Sequence, residues 1–183
     1  MLQSLSFEQL LKGNELQYQE LIAMWIPYMR EIFKDDMDTQ NESDADLEKY
    51  AYQRVNIQGQ RKDMHFELVY LEKEVIGFAL YAVDLGGIKG LIEPGYGYIM
   101  EYYIVPNKRR KGYGMELYQH LVDVFKSHKV KYLYLTPDNT LGIQFWSQMG
   151  FLDSGKVDPD NKMPIYIKAI VLKNDLKIWN SII

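Results

Sequence analysis

Hydrophobic positions along this chain change period between its first third and the rest. From Glu15 to Phe33 they fall at Leu21, Ile22, Trp25, Ile26, Met29, Ile32 and Phe33, the spacing that lines one face of a helix. Pro27 inside that stripe predicts a kink or a break, because proline lacks an N–H and its ring crowds the preceding turn. Ser43-x-x-Asp46 then reads as a capping signal, so a second helix is expected over about residues 44–60, with Leu47, Tyr50, Ala51 and Val55 inward. Residues 1–7 read as a short strand ahead of both helices.

Beyond these helices the pattern turns to β-branched and aromatic runs. Phe66–Leu71 and Val75–Val83 predict two strands of a hairpin joined by Glu72-Lys73-Glu74. Asp84–Gly97 holds five glycines and one proline, which predicts a mobile loop. Tyr98–Val105 is the next strand, and Met115–His128 a helix with Leu117, Leu121, Val122 and Phe125 on one side. Val130–Leu135 reads as a strand, and Leu141–Met149 as a short helix closed by Gly150. Phe151–Lys156 and Pro164–Leu172 are late strands around the turn-rich Asp158-Pro159-Asp160-Asn161. With no repeat, linker or low-complexity segment, the 183 residues read as one domain with a tail at 173–183. The fold class is α/β (α+β): a mixed, largely antiparallel central sheet flanked by helices, with a strand–helix–strand crossover near residues 98–135.

Composition narrows the function classes. Apolar residues make up 47% and charged residues 25%, as in an ordinary globular protein, and the net charge of −4 argues against general nucleic-acid binding. The absence of cysteine excludes disulfides, thiolate metal sites and a cysteine nucleophile, and fits a reducing cytoplasm. No run is long and apolar enough to span a bilayer and no signal peptide is recognisable, so a cytoplasmic location away from membranes is expected. His65, His120 and His128 are too scattered to predict a metal site.

Against this acidic background one segment is basic: Val105-Pro106-Asn107-Lys108-Arg109-Arg110-Lys111-Gly112-Tyr113-Gly114. It lies between an apolar strand and an amphipathic helix. A glycine-bearing turn there aims several amides at one spot on the positive end of the helix dipole, which suits a phosphate or pyrophosphate. An exposed surface turn would carry the same charges, but the two glycines at a strand-to-helix junction argue against it. A P-loop would end in Gly-Lys-Ser/Thr, whereas Gly114 is followed by Met115 and Glu116.

Arg109-x-x-Gly112-x-Gly114 resembles the acetyl-CoA-binding signature of the GNAT family of N-acetyltransferases. A second segment, Asn139-Thr140-Leu141-Gly142-Ile143-Gln144-Phe145-Trp146-Ser147-Gln148-Met149-Gly150-Phe151, resembles that family's later motif, and the likeness extends over about residues 1–172. The resemblance implies a GNAT fold, acetyl-CoA as co-substrate, no metal, and acetyl transfer to a primary amine. It also implies that the backbone of Ile104 and Val105 binds the pantetheine arm as a strand would. The amides of Arg109, Arg110, Lys111, Gly112, Tyr113, Gly114 and Met115 would cradle the pyrophosphate. Asn139 would lie near the thiol, with Phe145 and Trp146 beside the arm.

An ammonium has no lone pair, so the acceptor must lose a proton before it attacks. Glu101 is the only acid in Tyr98–Val105 and resembles the glutamate that many family members place there. A lone carboxylate among Ile, Met and Tyr is partly desolvated and biased to a raised pKa; the alternative is that it pairs with an Arg or Lys. Trp146 stands where the family often has a tyrosine that protonates the leaving thiolate, and indole is no acid at neutral pH. Either the thiolate leaves unprotonated or through water, or Tyr102, Tyr103, Tyr113 or Tyr134 substitutes, with Tyr103 taken as the candidate. A third outcome is a CoA-binding sensor or interaction module without turnover. The oxyanion is expected on a backbone N–H near Val105.

Asp35–Glu48 carries seven acids and no Lys or Arg, which would favour a small cationic acceptor such as a polyamine, an aminoglycoside or a basic peptide N-terminus. A solvated loop with acids at a helix N-terminus accounts for most of them without a substrate. Trp25, Tyr28, Phe33, Tyr96, Tyr98 and Tyr103 could wall such a cation site or simply form core. The apolar tail, with Leu176, Ile178, Trp179, Ile182 and Ile183, could pack on the domain or on a second copy in a homodimer.

Overall fold

Seven strands form one mixed sheet: β1 (Leu5–Gln9), β2 (Met64–Leu71), β3 (Glu74–Val83), β4 (Gly97–Ile104), β5 (Tyr132–Leu135), β6 (Leu152–Val157) and β7 (Pro164–Ala169), in the order β1-β2-β3-β4-β5-β7-β6. The computed structural model describes residues 4–34, 40–58, 63–138 and 140–170. Pairing is antiparallel for β1–β2, β5–β7 and β6–β7, and parallel for β4–β5. The helices described in full beside the sheet are α1 (Glu15–Ile32), α2 (Asp44–Gln58), α3 (Tyr113–Ser127) and α4 (Thr140–Gln148). Element order and class are those the hydrophobic pattern predicts, with boundaries shifted by a few residues. Among the described residues no helix is long and apolar enough to cross a membrane.

By contacts the chain divides into two compact units, Met1–Tyr81 with Glu101–Leu117, and Ala82–Met100 with Tyr118–Ile183. In the first, Asn14 caps α1 by accepting the Gln17 N–H at 3.3 Å. The kink or break predicted at Pro27 does not end the helix, which continues to Ile32. Packing holds it together: Trp25, Tyr28 and Met29 are buried around the proline, and the Trp25 indole N–H donates to the Leu47 C=O in α2 at 3.0 Å. The predicted cap of α2 is present, the Asp46 N–H meeting Ser43 Oγ at 3.2 Å. Trp25, Phe66, Phe78, Tyr28 and Tyr103 form a continuous aromatic core with centroids 5.2–6.3 Å apart. Trp25, Tyr28 and Tyr103 therefore belong to this buried core. Gly77 permits β3 to lie against β4, because a Cβ there would fall 2.2 Å from the Tyr103 carbonyl oxygen.

In the second unit the predicted mobile loop after β3 is tied down. The Asp84 N–H bonds to Tyr96 C=O at 2.8 Å and the Gly95 N–H to Asp84 C=O at 2.6 Å. The Asp84 carboxylate accepts the amides of Gly86 and Gly87 and the Tyr134 hydroxyl. Ile92 is buried with Tyr134 and Ile165 in a small core. Glycine content signals turns here, while one carboxylate and one isoleucine supply the order. The tail and the last residues predicted for β7 lie outside the described residues.

Candidate active site

β4 runs into a single 3-10 turn, Pro106–Lys108, closed by the Lys108 N–H to Val105 C=O at 2.9 Å. The chain then passes through left-handed backbone at Arg110 (φ +59°) and Gly112 (φ +91°) before α3 begins. The first helical bond is Glu116 N–H to Gly112 C=O, 3.1 Å. The amides of Tyr113, Gly114 and Met115 precede it and have no intrahelical acceptor. A Cβ at Gly112 would meet nothing within 4 Å, so it is the left-handed backbone there, not crowding, that calls for glycine. The Tyr102 hydroxyl donates to Gly114 C=O, and Glu116 Oε1 accepts the Leu5 N–H at 2.8 Å. These two bonds fix the first turn of α3 to β4 and β1.

The four cations of this turn do not act as one patch. Lys108 pairs with Glu74 at 2.6 Å, and the Lys111 ammonium donates to the Asn107 C=O at 3.0 Å. Arg109 turns inward. Its Nε–H donates to Ile104 C=O at 2.7 Å, and its two terminal nitrogens grip Glu31 at 2.6 and 2.7 Å. That fork holds the guanidinium firmly in its charged state. Arg110 is exposed. The backbone groups predicted for the pantetheine arm are also partly engaged. The Val105 N–H, foreseen as oxyanion donor, is bonded to Ile76 C=O in β3 at 2.9 Å. Amides alternate sides along a strand, so the Ile104 N–H points to the opposite edge of β4.

Glu101 lies on β4 with its side chain 12% exposed. The lone carboxylate of the sequence reading has partners: the Tyr28 hydroxyl donates to Oε2 at 2.5 Å, and Arg54 Nη2 stands 3.6 Å from Oε1. Tyr103, two residues on, packs 5.2 Å from the Tyr28 ring and 5.3 Å from Phe78, with the Arg109 guanidinium 5.2 Å above its own ring. Burial pushes the Tyr103 hydroxyl up, Arg109 opposes this and Glu31 adds to it. Glu31 and Arg54 were missed from sequence, and Tyr28 was foreseen only as an aromatic wall or core residue, not as a partner of Glu101. The one local signal was the placement of Tyr28 and Glu31 three apart on α1, hence on one face.

The remaining predicted residues lie in the second unit. Trp146 is buried, 4.9 Å from the Phe145 ring, 5.3 Å from Phe151 and 6.1 Å from Tyr118. It is a core side chain, and Phe145 is half-buried beside it. Burial pushes the Tyr118 hydroxyl up to about 12, and Lys168 donates to it at 2.7 Å. Asn139 lies outside the described residues, as do residues 35–39 of the acidic stretch. In the rest of that stretch Glu42 accepts the Tyr50 hydroxyl at 2.9 Å, Asp44 pairs with Arg30 at 3.1 Å, and Asp46 with Lys49 at 2.6 Å. These acids serve local structure.

A model of the acetyltransferase (GNAT) family matches residues 26–151, from α1 through the basic turn to the end of the short helix. The chain belongs to the GNAT acetyltransferase family. Solved GNAT structures share its fold. The PaiA N-acetyltransferase from Thermoplasma acidophilum, in complex with coenzyme A, aligns with a TM-score of 0.65 at 15% identity, covering 91% of this chain and 99% of that one. An acetyltransferase from Thermus thermophilus gives 0.67 at 14% identity, covering 91% and 97%. The protein PH1933 from Pyrococcus horikoshii gives 0.67 at 18%, covering 92% and 100%. No curated protein matches the chain. As a GNAT acetyltransferase the chain is assigned to the acyltransferases, and the turn before α3 and the strand bearing Glu101 both fall inside the matched region.

Proposed function

We propose that this GNAT protein transfers an acetyl group from acetyl-CoA to the primary amine of a small acceptor. The observation that carries this reading is the pairing, on one strand and its continuation, of a mostly buried carboxylate with an amide-lined helix start. The amides of Tyr113, Gly114 and Met115, beside Gly112 where a Cβ would meet nothing within 4 Å, suit a pyrophosphate. Exposed Arg110 suits a further phosphate, and the Ile104 N–H suits the pantetheine arm or the oxyanion. The coenzyme A complex of the Thermoplasma protein supports the donor assignment.

At the acceptor, Glu101 takes a proton from the arriving ammonium. The freed lone pair attacks the thioester carbonyl carbon and the C=O pair moves onto oxygen; as that pair returns, the C–S bond breaks, the sulfur leaves as thiolate, and the nitrogen sheds its second proton to solvent to give the neutral amide. Tyr103, its hydroxyl kept protonated by burial, donates to that sulfur. Calorimetric titration with acetyl-CoA and a thiol-release assay over a panel of amines test the reading; absence of acetyl-CoA binding sinks it. The second reading, a CoA-binding sensor, is favoured by one observation: Trp146 sits in a buried aromatic cluster where the family often presents a tyrosine. It predicts CoA binding with no thiol release for any amine.

A further inference from the structure

Glu101 and Arg54 form an ion pair unlike the other well-ordered pair of this region. Arg109 and Glu31 make a closed fork at 2.6 and 2.7 Å, with every carboxylate oxygen used. Arg54 reaches Glu101 with one nitrogen at 3.6 Å, beyond the usual range of about 2.7–2.9 Å for a charge-assisted hydrogen bond. Its side chain is 47% exposed, against 12% for Glu101. The pair is therefore loose and opens to solvent on the arginine side. The opposite oxygen of Glu101 is held by the Tyr28 hydroxyl, so the carboxylate stays in place when Arg54 moves.

Resting on the reading of Glu101 as the acceptor's proton acceptor, we propose that the acceptor is a zwitterion: a primary amine with a carboxylate a few bonds away, as in an α-amino acid, recognised by Arg54. The ammonium takes the place of Arg54 at Glu101 Oε1, and the substrate carboxylate takes the place of Glu101 at the Arg54 guanidinium. Each charge in the site exchanges one partner for another of the same sign, and none is left buried and unpaired. Guanidinium is suited to this task because its planar fork matches a carboxylate bidentately. A polyamine or aminoglycoside would instead bring a second cation beside the Arg54 guanidinium, a like-charge contact that a carboxylate avoids. Arg54 is thus a specificity-determining residue, and Glu42, Asp44 and Asp46 of the acidic stretch are engaged locally.

The test compares the twenty L-amino acids with their carboxamides, which keep the amine and lose the carboxylate, and with linear diamines, in the acetyl-CoA thiol-release assay. For the preferred side chain, wild-type kcat/KM should exceed that of the carboxamide by about tenfold or more, and Arg54→Ala should bring the ratio to within about twofold. Arg54→Glu should turn the preference toward diamines. A wild-type ratio near unity, or a ratio that Arg54→Ala leaves unchanged, overturns the proposal. Binding of each amino acid and its carboxamide to the CoA-loaded protein, titrated calorimetrically for wild type and for Arg54→Lys, gives a readout independent of turnover. Weaker binding of the amino acid alone in Arg54→Lys supports the zwitterion site, and equal binding of amino acid and carboxamide to wild type removes it. If no amine releases thiol, transfer itself fails, and the binding titration still decides whether Arg54 holds a carboxylate.

Discussion

The turn before α3 and the surroundings of Glu101 lie on one strand but are built in opposite ways. The turn presents backbone: amides of Tyr113, Gly114 and Met115 opened by a left-handed glycine, with its own basic side chains largely turned to internal partners. The Glu101 site presents side chains from three separate elements, Tyr28 of α1, Arg54 of α2 and Glu101 of β4. A backbone cradle depends on conformation and tolerates many side chains. A side-chain site depends on identity and changes its ligand when one residue changes. In the proposed reaction the common donor meets the first kind of site and the variable acceptor meets the second.

The largest expected break between the two comes from Glu101→Gln. The amide keeps the shape and loses the base, so kcat/KM for the amine should fall by about a hundredfold or more while acetyl-CoA affinity stays within about twofold. Equal loss of both would mean that Glu101 serves the fold rather than the acceptor. The reciprocal change is Gly112→Glu, which puts a β-carbon at φ +91° and a carboxylate at the anion site. Acetyl-CoA binding should weaken by about tenfold to a hundredfold with the amine KM little altered. Gly112→Ala separates the causes: a Cβ there meets nothing, so it should cost only about 1–2 kcal/mol of backbone strain.

This contrast also explains what could be read in the chain. The turn was legible because its determinants are contiguous: a strand, two glycines and a helix start within ten residues of Val105. Glu101 was legible as the only acid of its strand, but its partners were not, because Tyr28 and Arg54 reach it only through the packing of α1 and α2. The four cations misled as a group. Charge is visible in sequence, whereas the inward turn of Arg109 to Glu31 is set by a residue on α1 far away in the chain. The loop after β3 misled for the converse reason: its glycines are visible, and the bond from the Tyr134 hydroxyl to Asp84 that fixes it is not. Pro27 marked a kink or a break, and the helix, packed by the buried aromatics around it, is not broken there.

The Arg109–Glu31 fork links α1 to the donor turn, and a double-mutant cycle measures that link. Glu31→Gln and Arg109→Met should each raise the acetyl-CoA KM by about threefold, and their coupling should be about 1 kcal/mol or less, because both groups are about a third exposed and screened by solvent. Amine KM should not follow. If it rises in step with that of acetyl-CoA, α1 carries the fork's effect into the acceptor site and the two halves are coupled rather than separate.

Tyr103 touches both halves, Tyr28 on one side and Arg109 on the other, and gives the smallest and most discriminating test. A thiol with a pKa of about 8.5 leaves readily as thiolate, so the loss of a proton donor in Tyr103→Phe should lower kcat by only about threefold. The pH dependence identifies the role. Burial, less the effect of Arg109 and with that of Glu31 added, places the folded hydroxyl above its ordinary value near 10. The protonated hydroxyl therefore contributes stability in full below about pH 10, and that contribution is lost as pH rises through the folded value. Wild-type kcat should accordingly show no tyrosine limb below about pH 10, and unfolding at higher pH should be less steep in Tyr103→Phe than in wild type. If kcat is unchanged while the KM for acetyl-CoA rises, Tyr103 is a wall of the donor turn beneath Arg109. If kcat falls with both KM values constant, its hydroxyl acts on the departing sulfur.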